Sequence, residues 1–194
     1  MTGVQTCALP ISLLDCGIER IIIGTGYHKE FYEELAKTYP QIECCFSPRF
    51  AETNCLYTLW NCREMVGDDD ILMLDSDLVY ERRGISELLA CPHDSAILTA
   101  PLTKFQDAYY VEQNPDGQFI AWSKDRNAIN PCGELVGIHK LSNAFYKAVC
   151  DYYTPIVTAC VHGVRAYNLM FAVGFVPDGY KMDTVFLFCL YQGL

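Results

Sequence analysis

Short continuous apolar runs alternate with stretches of helical spacing through the first half of the chain. Arg20–Gly24 (RIIIG), Ile42–Phe46 and Ile71–Leu74 are brief and unbroken, the pattern of strands buried on both faces. Between them, His28–Tyr39 places Phe31, Tyr32, Leu35 and Ala36 at helical spacing, and Pro40 stops it. Asn54–Val66 sets Leu56, Leu59, Trp60 and Met65 near one helical face. Ser12–Gly17 reads as a last helical turn closed by Gly17. Gly84–Ala90 predicts a short helix and Ser95–Ala100 a strand. The rhythm then changes. Tyr109–Gln113 and Gln118–Ser123 flank the turn Pro115-Asp116-Gly117, a hairpin signal. Leu135–Lys140 predicts a further strand, and Ser142 caps a helix running through Tyr153. Strand and helix in alternation, followed by a hairpin, predict an α/β sheet that is parallel at first and mixed later. There is no internal repeat.

Composition narrows the classes. The 194 residues are 51% hydrophobic and 20% charged, enough for one sizeable core. The net charge of −10 repels phosphate backbones and anionic lipid, so nucleic acid and membrane are not expected partners. No stretch reaches the roughly 20 apolar residues of a membrane span. No cationic-then-apolar leader opens the chain, and the 11 cysteines contain no C-x-x-C pair. The expectation is a cytoplasmic protein whose thiols serve mostly as small buried hydrophobes.

Both ends depart from the middle. Met1–Ile11 (MTGVQTCALPI) lacks periodicity and resembles a codon-by-codon translation of a common sequencing-adapter oligonucleotide. It is set apart as a cloning or assembly scar, with the native start expected upstream of Ser12. Val161–Leu194 carries only Arg165, Lys181, Asp178 and Asp183 as charges and has no clean period. A final strand–helix unit and an out-of-frame tail both fit it.

The strongest chemical signal is Ile71-Leu72-Met73-Leu74-Asp75-Ser76-Asp77, an apolar strand ending in two carboxylates. Ligands of open α/β sheets bind beyond strand C-termini, and alternation sends Asp75 and Asp77 to one side. Such oxygen donors can hold Mg²⁺ or Mn²⁺; a solvated loop with helix-capping carboxylates is the competing reading. Gly24-Thr25-Gly26 is not a dinucleotide fingerprint, because the third glycine falls on Lys29. It reads instead as a tight turn. Asn54 can cap a helix or donate to a ligand, with capping favoured. Lys124 is a solvated charge or a phosphate contact. Tyr109, Tyr110 and Trp122 either pack the hairpin or offer faces to a cationic amine.

In this order the segments resemble the nucleotidyltransferase superfamily, which includes sugar-phosphate nucleotidylyltransferases and phosphocholine or phosphonate cytidylyltransferases. The carriers are Gly17–Tyr27, Glu52–Leu59, Ile71–Asp77, Asp116-Gly117 with Ser123-Lys124-Asp125, and Gly133–Ile138. Asn54, Tyr57 and the Gly-Glu-x-x-Gly-Ile run are most similar to the cytidylyltransferase branch. The resemblance implies a three-layer α/β/α Rossmann-like fold with a mixed, mostly parallel central sheet whose first strand is missing. It divides the chain into 1–11, a partial nucleotidyltransferase domain over 12–160, and an atypical tail over 161–194. It implies transfer of a nucleotidyl group, cytidylyl favoured, from a nucleoside triphosphate to a phosphorylated small molecule with Mg²⁺ (or Mn²⁺). Asp77 matches the metal-binding aspartate and Asp75 a second or water-mediated ligand. Lys124 matches a lysine near the substrate phosphate. Asn54 lies where the family contacts nucleotide or acceptor, and Glu134 lines the acceptor side. The family's glycine-rich triphosphate loop would precede Ser12, and no late Glu-x-Asp pattern appears in Val161–Leu194. The expectation is therefore an inactive fragment. The alternatives are a glycosyltransferase using Asp75-Ser76-Asp77 for a nucleotide sugar, and a non-catalytic fragment.

Overall fold

Each buried strand divides its side chains between two faces, and helices cover both. The computed structural model describes residues 10–75, 80–103 and 108–161. Helix α1 (residues 10–15) leads into β1 (Ile21–Thr25), α2 (Lys29–Thr38) and β2 (Ile42–Phe46). Helices α3 (Cys55–Asn61) and α4 (Arg63–Val66) precede β3 (Ile71–Leu74) and α5 (Arg82–Ala90). Then come β4 (Ala96–Ala100), β5 (Tyr110–Gln113), β6 (Phe119–Ser123), β7 (Gly133–Leu141) and α6 (Asn143–Val161).

On one face, Ile21 and Ile23 of β1, Ile42 of β2, Leu72 and Leu74 of β3, and Ile138 of β7 meet Leu13 of α1, Tyr32 of α2, and Ile85 and Leu88 of α5. On the other, Cys45, Met73 and Leu141 meet Leu56 and Leu59 of α3, Val66 of α4, and Phe145, Tyr146 and Cys150 of α6, with Ile22 packed against them. Each fully buried aliphatic side chain contributes about 1.5–3 kcal/mol of transfer free energy. The Tyr146 hydroxyl donates to the Leu59 carbonyl at 2.8 Å, tying α6 to α3. Cys45, Cys62 and Cys150 are buried as small hydrophobes, while Cys55 and Cys132 are exposed. This is the expected α/β/α layering, built among the described residues on a two-stranded parallel sheet and a five-stranded antiparallel one.

Strands β1 and β2 pair in parallel, Ile21 opposite Ile42 through Thr25 opposite Phe46. Strand β7 organises the rest through antiparallel ladders to β3, β4 and β5, and β5 pairs with β6 as the expected hairpin. Strands β1 and β3 share both hydrophobic clusters, yet among the described residues no ladder joins them. The single helix read over Asn54–Val66 is two helices, broken at Cys62. The side chain at 62 is wholly buried, and Met65 N–H turns to its carbonyl at 2.9 Å in a tightened step. Helix α6 begins as expected, with Ser142 Oγ accepting from Phe145 N–H at 3.3 Å, and extends past Tyr153.

Candidate active site

Asp75 follows the C-terminal end of β3, and the turning segment Ser47–Asn54 joins the C-terminal end of β2 to α3. Ser47 N–H donates to the Thr25 carbonyl at 2.8 Å, and the buried Thr58 hydroxyl donates to Ser47 Oγ at 3.1 Å. These bonds pin the turn to the end of β1. Gly26 lies under the Phe50 ring, where a Cβ would fall 2.6 Å from Cγ. Close approach of the ring therefore accounts for Gly26, in agreement with the tight-turn reading.

Asn54 caps α3: its Oδ1 accepts from Leu56 N–H at 3.2 Å, and its own backbone is extended. The next residue, Cys55, lies within electrostatic reach of Asp75. Its thiol is pushed above the ordinary value by surrounding protein and then by the Asp75 carboxylate, although the residue remains solvent-accessible. Cys55 escaped sequence reasoning; its only signal was its place directly after a helix cap.

Asp75 follows β3, half-buried, and its N–H donates to the Gly137 carbonyl at 3.2 Å. Gly137 has φ +79, and a Cβ there would fall 2.5 Å from Asp75 Oδ2. Asp77 lies outside the described residues, as do Asp178 and Asp183. Among the described residues no group of three or more His, Cys, Asp or Glu side chains is placed to hold a metal ion. The bare glycine leaves room for the Asp75 carboxylate at the strand end. A hard oxygen donor there fits Mg²⁺, which takes one or two carboxylates and fills its other positions with water and phosphate oxygens.

Glu134 lies on the same strand as Gly137. The edge of β7 that meets Asp75 at Gly137 meets Tyr110 at Glu134, three residues or about 10 Å further on. Glu134 is buried, at 8% exposure. Its Oε1 accepts from Thr103 N–H at 2.7 Å and its Oε2 from the Thr103 hydroxyl at 2.8 Å. The carboxylate thereby anchors the segment after β4.

The hairpin divides its aromatic residues. Tyr109 and Trp122 stack with ring centres 6.0 Å apart, Phe119 meets Trp122 edge-on, and Lys124 Nζ stands 4.9 Å from the Tyr109 ring centre. Tyr110 is buried on the sheet, opposite Ser123 and Glu134, with the Arg126 guanidinium 5.8 Å from its ring. Trp122 is exposed and Tyr110 is not, so the three aromatics do not form a single box. A cavity of about 350 Å³ between β4 and the hairpin turn, lined by His93, Thr99, Gln113 and Phe119 among others, contains none of these candidates. The candidate site is centred on Asp75, the carboxylate that ends β3, lies against Gly137 and is felt by Cys55 at the start of α3.

No family model matches the sequence. Solved structures do. A CTP:phosphocholine cytidylyltransferase from Streptococcus pneumoniae superposes with a TM-score of 0.60 at 19% identity, covering 78% of this chain and 61% of its own. An inositol-1-phosphate CTP transferase from T. maritima gives 0.60 at 13% identity, covering 73% and 59%. HddC from Yersinia pseudotuberculosis, complexed with GMP-PN, gives 0.59 at 12% identity, covering 95% and 76%. The chain has the nucleotidyltransferase fold. It spans about 60% of the length of the first two structures. Among the described residues no helix is long and apolar enough to cross a membrane.

Proposed function

We propose that the chain is part of a nucleotidyltransferase that moves a nucleotidyl group, cytidylyl by preference, from a nucleoside triphosphate to a phosphorylated small molecule. The observation that carries this reading is Asp75, seated on Gly137 at the end of β3 within this fold. The acceptor phosphate oxygen attacks the α-phosphorus. The new O–P bond forms as the bond to the β-phosphate bridging oxygen breaks, and pyrophosphate leaves. Asp75 and Asp77 would hold Mg²⁺, which when bound neutralises the charge developing on the phosphates. Lys124 places a cation at the hairpin, where it can meet a phosphate oxygen. Asn54 fixes the start of α3 beside Asp75, and Glu134 holds the segment at Thr103. Preference for CTP rests on the Asn54, Tyr57 and Gly-Glu-x-x-Gly-Ile pattern. It is supported by the two solved neighbours named for CTP.

Tyr109 and Trp122 support an acceptor with a cationic amine, such as a choline phosphate or an aminoalkylphosphonate. Lys124 already covers the Tyr109 ring, so an acceptor's ammonium would engage Trp122 or displace Lys124. A triphosphate carries about four negative charges and needs basic or N–H donors beside the metal. The test is pyrophosphate release with Mg²⁺, the four nucleoside triphosphates and a panel of phosphorylated acceptors, using the full-length protein. Release with CTP and an amine-bearing phosphate is expected. Release confined to other triphosphates would refute cytidylyl preference, and no release with any would refute the function.

A further inference from the structure

Strand β7 changes its pairing at Gly137. Toward its C-terminus, His139 faces Ile97 of β4; on the other side of Gly137, Leu135 faces Thr99. Four positions of β7 are thus spanned by two of β4, which is a bulge. On the opposite edge, β3 pairs as far as Leu74 with Ile138, and Asp75 N–H then bonds the Gly137 carbonyl at 3.2 Å. The backbone of Gly137 is left-handed, with φ +79. A Cβ there would fall 2.5 Å from Asp75 Oδ2, 3.3 Å from Cγ and 3.6 Å from Cβ.

We propose that Gly137 is a positioning residue for Asp75. The bulge turns the Gly137 carbonyl onto the Asp75 N–H, and the bare Cα forms the floor on which the Asp75 carboxylate lies. A side chain at 137 would push the carboxylate away from the strand end. This rests on the reading of Asp75 as a site carboxylate under Proposed function, and it gives Gly137 a second role beside that of accommodating φ +79.

The test is a double-mutant cycle on the whole chain, with Gly137→Ala, Asp75→Ala and both together, read by urea unfolding. Asp75→Ala keeps the Asp75 Cβ, which is at an ordinary contact distance, and removes the atoms that would clash. Gly137→Ala is expected to lower the unfolding midpoint in both backgrounds, because φ +79 strains any side chain there, and to lower it clearly less in the Asp75→Ala background, where only that strain remains. If Gly137→Ala alone does not fold, the double variant should be the more folded of the two by circular dichroism. Equal losses in the two backgrounds, or equal unfolding of the two variants, would overturn the proposal. Binding of Mn²⁺ alone, followed by the resonance of the free ion, supplies a readout that structure in general would not move. A folded Gly137→Ala protein should bind Mn²⁺ at least about fivefold more weakly than the unaltered chain, and equal affinity would overturn the proposal. No Mn²⁺ binding by the unaltered chain would instead refute the nucleotidyltransferase reading, while the unfolding cycle still decides the seat.

Discussion

Around Asp75 the backbone does the holding, whereas around Tyr109 and Trp122 side chains hold one another. Asp75 is fixed by a strand end, a main-chain hydrogen bond and the bare face of Gly137. Tyr109, Trp122 and Lys124 are arranged by ring stacking and a cation on a hairpin surface. The first arrangement cannot drift without breaking the sheet. The second can change a partner at a cost of about 0.5–2 kcal/mol. Chemistry common to many acceptors needs the rigid half, and choice of acceptor can be left to the adaptable half. The comparison is open to attack from either side.

The largest expected effect concerns the whole rigid half. Residues 1–194 as they stand should release no pyrophosphate from CTP and Mg²⁺ with any phosphorylated acceptor, because the roughly four negative charges of a triphosphate need more cationic and N–H donors than Lys124 supplies. Robust turnover by this chain would show that its β3–β7 half is sufficient alone.

The rigid half should also be sensitive to acid. His139 lies on β7 opposite Met73 and Ile97, and burial pulls its imidazole down to about 4 from 6.5. Between these values the unfolded chain takes a proton that the folded chain refuses. Stability should therefore fall as pH drops from about 6.5 toward 4, by up to about 3 kcal/mol. Urea unfolding across that range checks it: His139→Leu should flatten the dependence, and an unchanged slope would remove His139 as its source.

A smaller loss is expected at Thr103. Thr103→Val leaves the buried Glu134 carboxylate without its hydroxyl donor and should cost about 1–3 kcal/mol in chemical unfolding. Thr103→Ser should restore most of it. Equal stability of the Val and Ser variants would mean that the hydroxyl contributes nothing.

The smallest effect should fall on the hairpin and should be one of selectivity. In active protein, Trp122→Ala should raise KM for an amine-bearing phosphate by roughly 2- to 30-fold, the range that a cation over an aromatic face gives. KM for CTP should stay the same. A parallel rise in both would place Trp122 in general packing, and a preference for sugar phosphates over choline phosphate in the unaltered enzyme would remove the cationic-amine idea.

What the sequence made legible follows from the range of the forces involved. Ile21–Thr25, Ile42–Phe46 and Ile71–Leu74 announce themselves as strands because both faces are buried and local composition records it. The hairpin was visible through Asp116-Gly117, where Gly117 has φ +80. The break between α3 and α4 was not visible, because neither glycine nor proline marks Cys62 and burial alone tightens the chain there. Site geometry was harder still. Asn54 as a cap is a local event, and its residue type foretold it. The meetings of Asp75 with Gly137 and of Glu134 with Thr103 join residues far apart in sequence. Gly137 stood within the recognised Gly-Glu-x-x-Gly-Ile run, yet only the folded chain shows what its missing side chain makes room for.

The central claim is that carboxylates at the end of β3 support nucleotidyl transfer. The most direct measurement is Mg²⁺-dependent pyrophosphate release from CTP by the full-length protein, comparing the unaltered enzyme with Asp77→Ala and Asp75→Ala. The account predicts robust release by the unaltered enzyme, loss of about 100-fold or more in Asp77→Ala, and a lesser but clear loss in Asp75→Ala. Near-normal release by Asp77→Ala would contradict it.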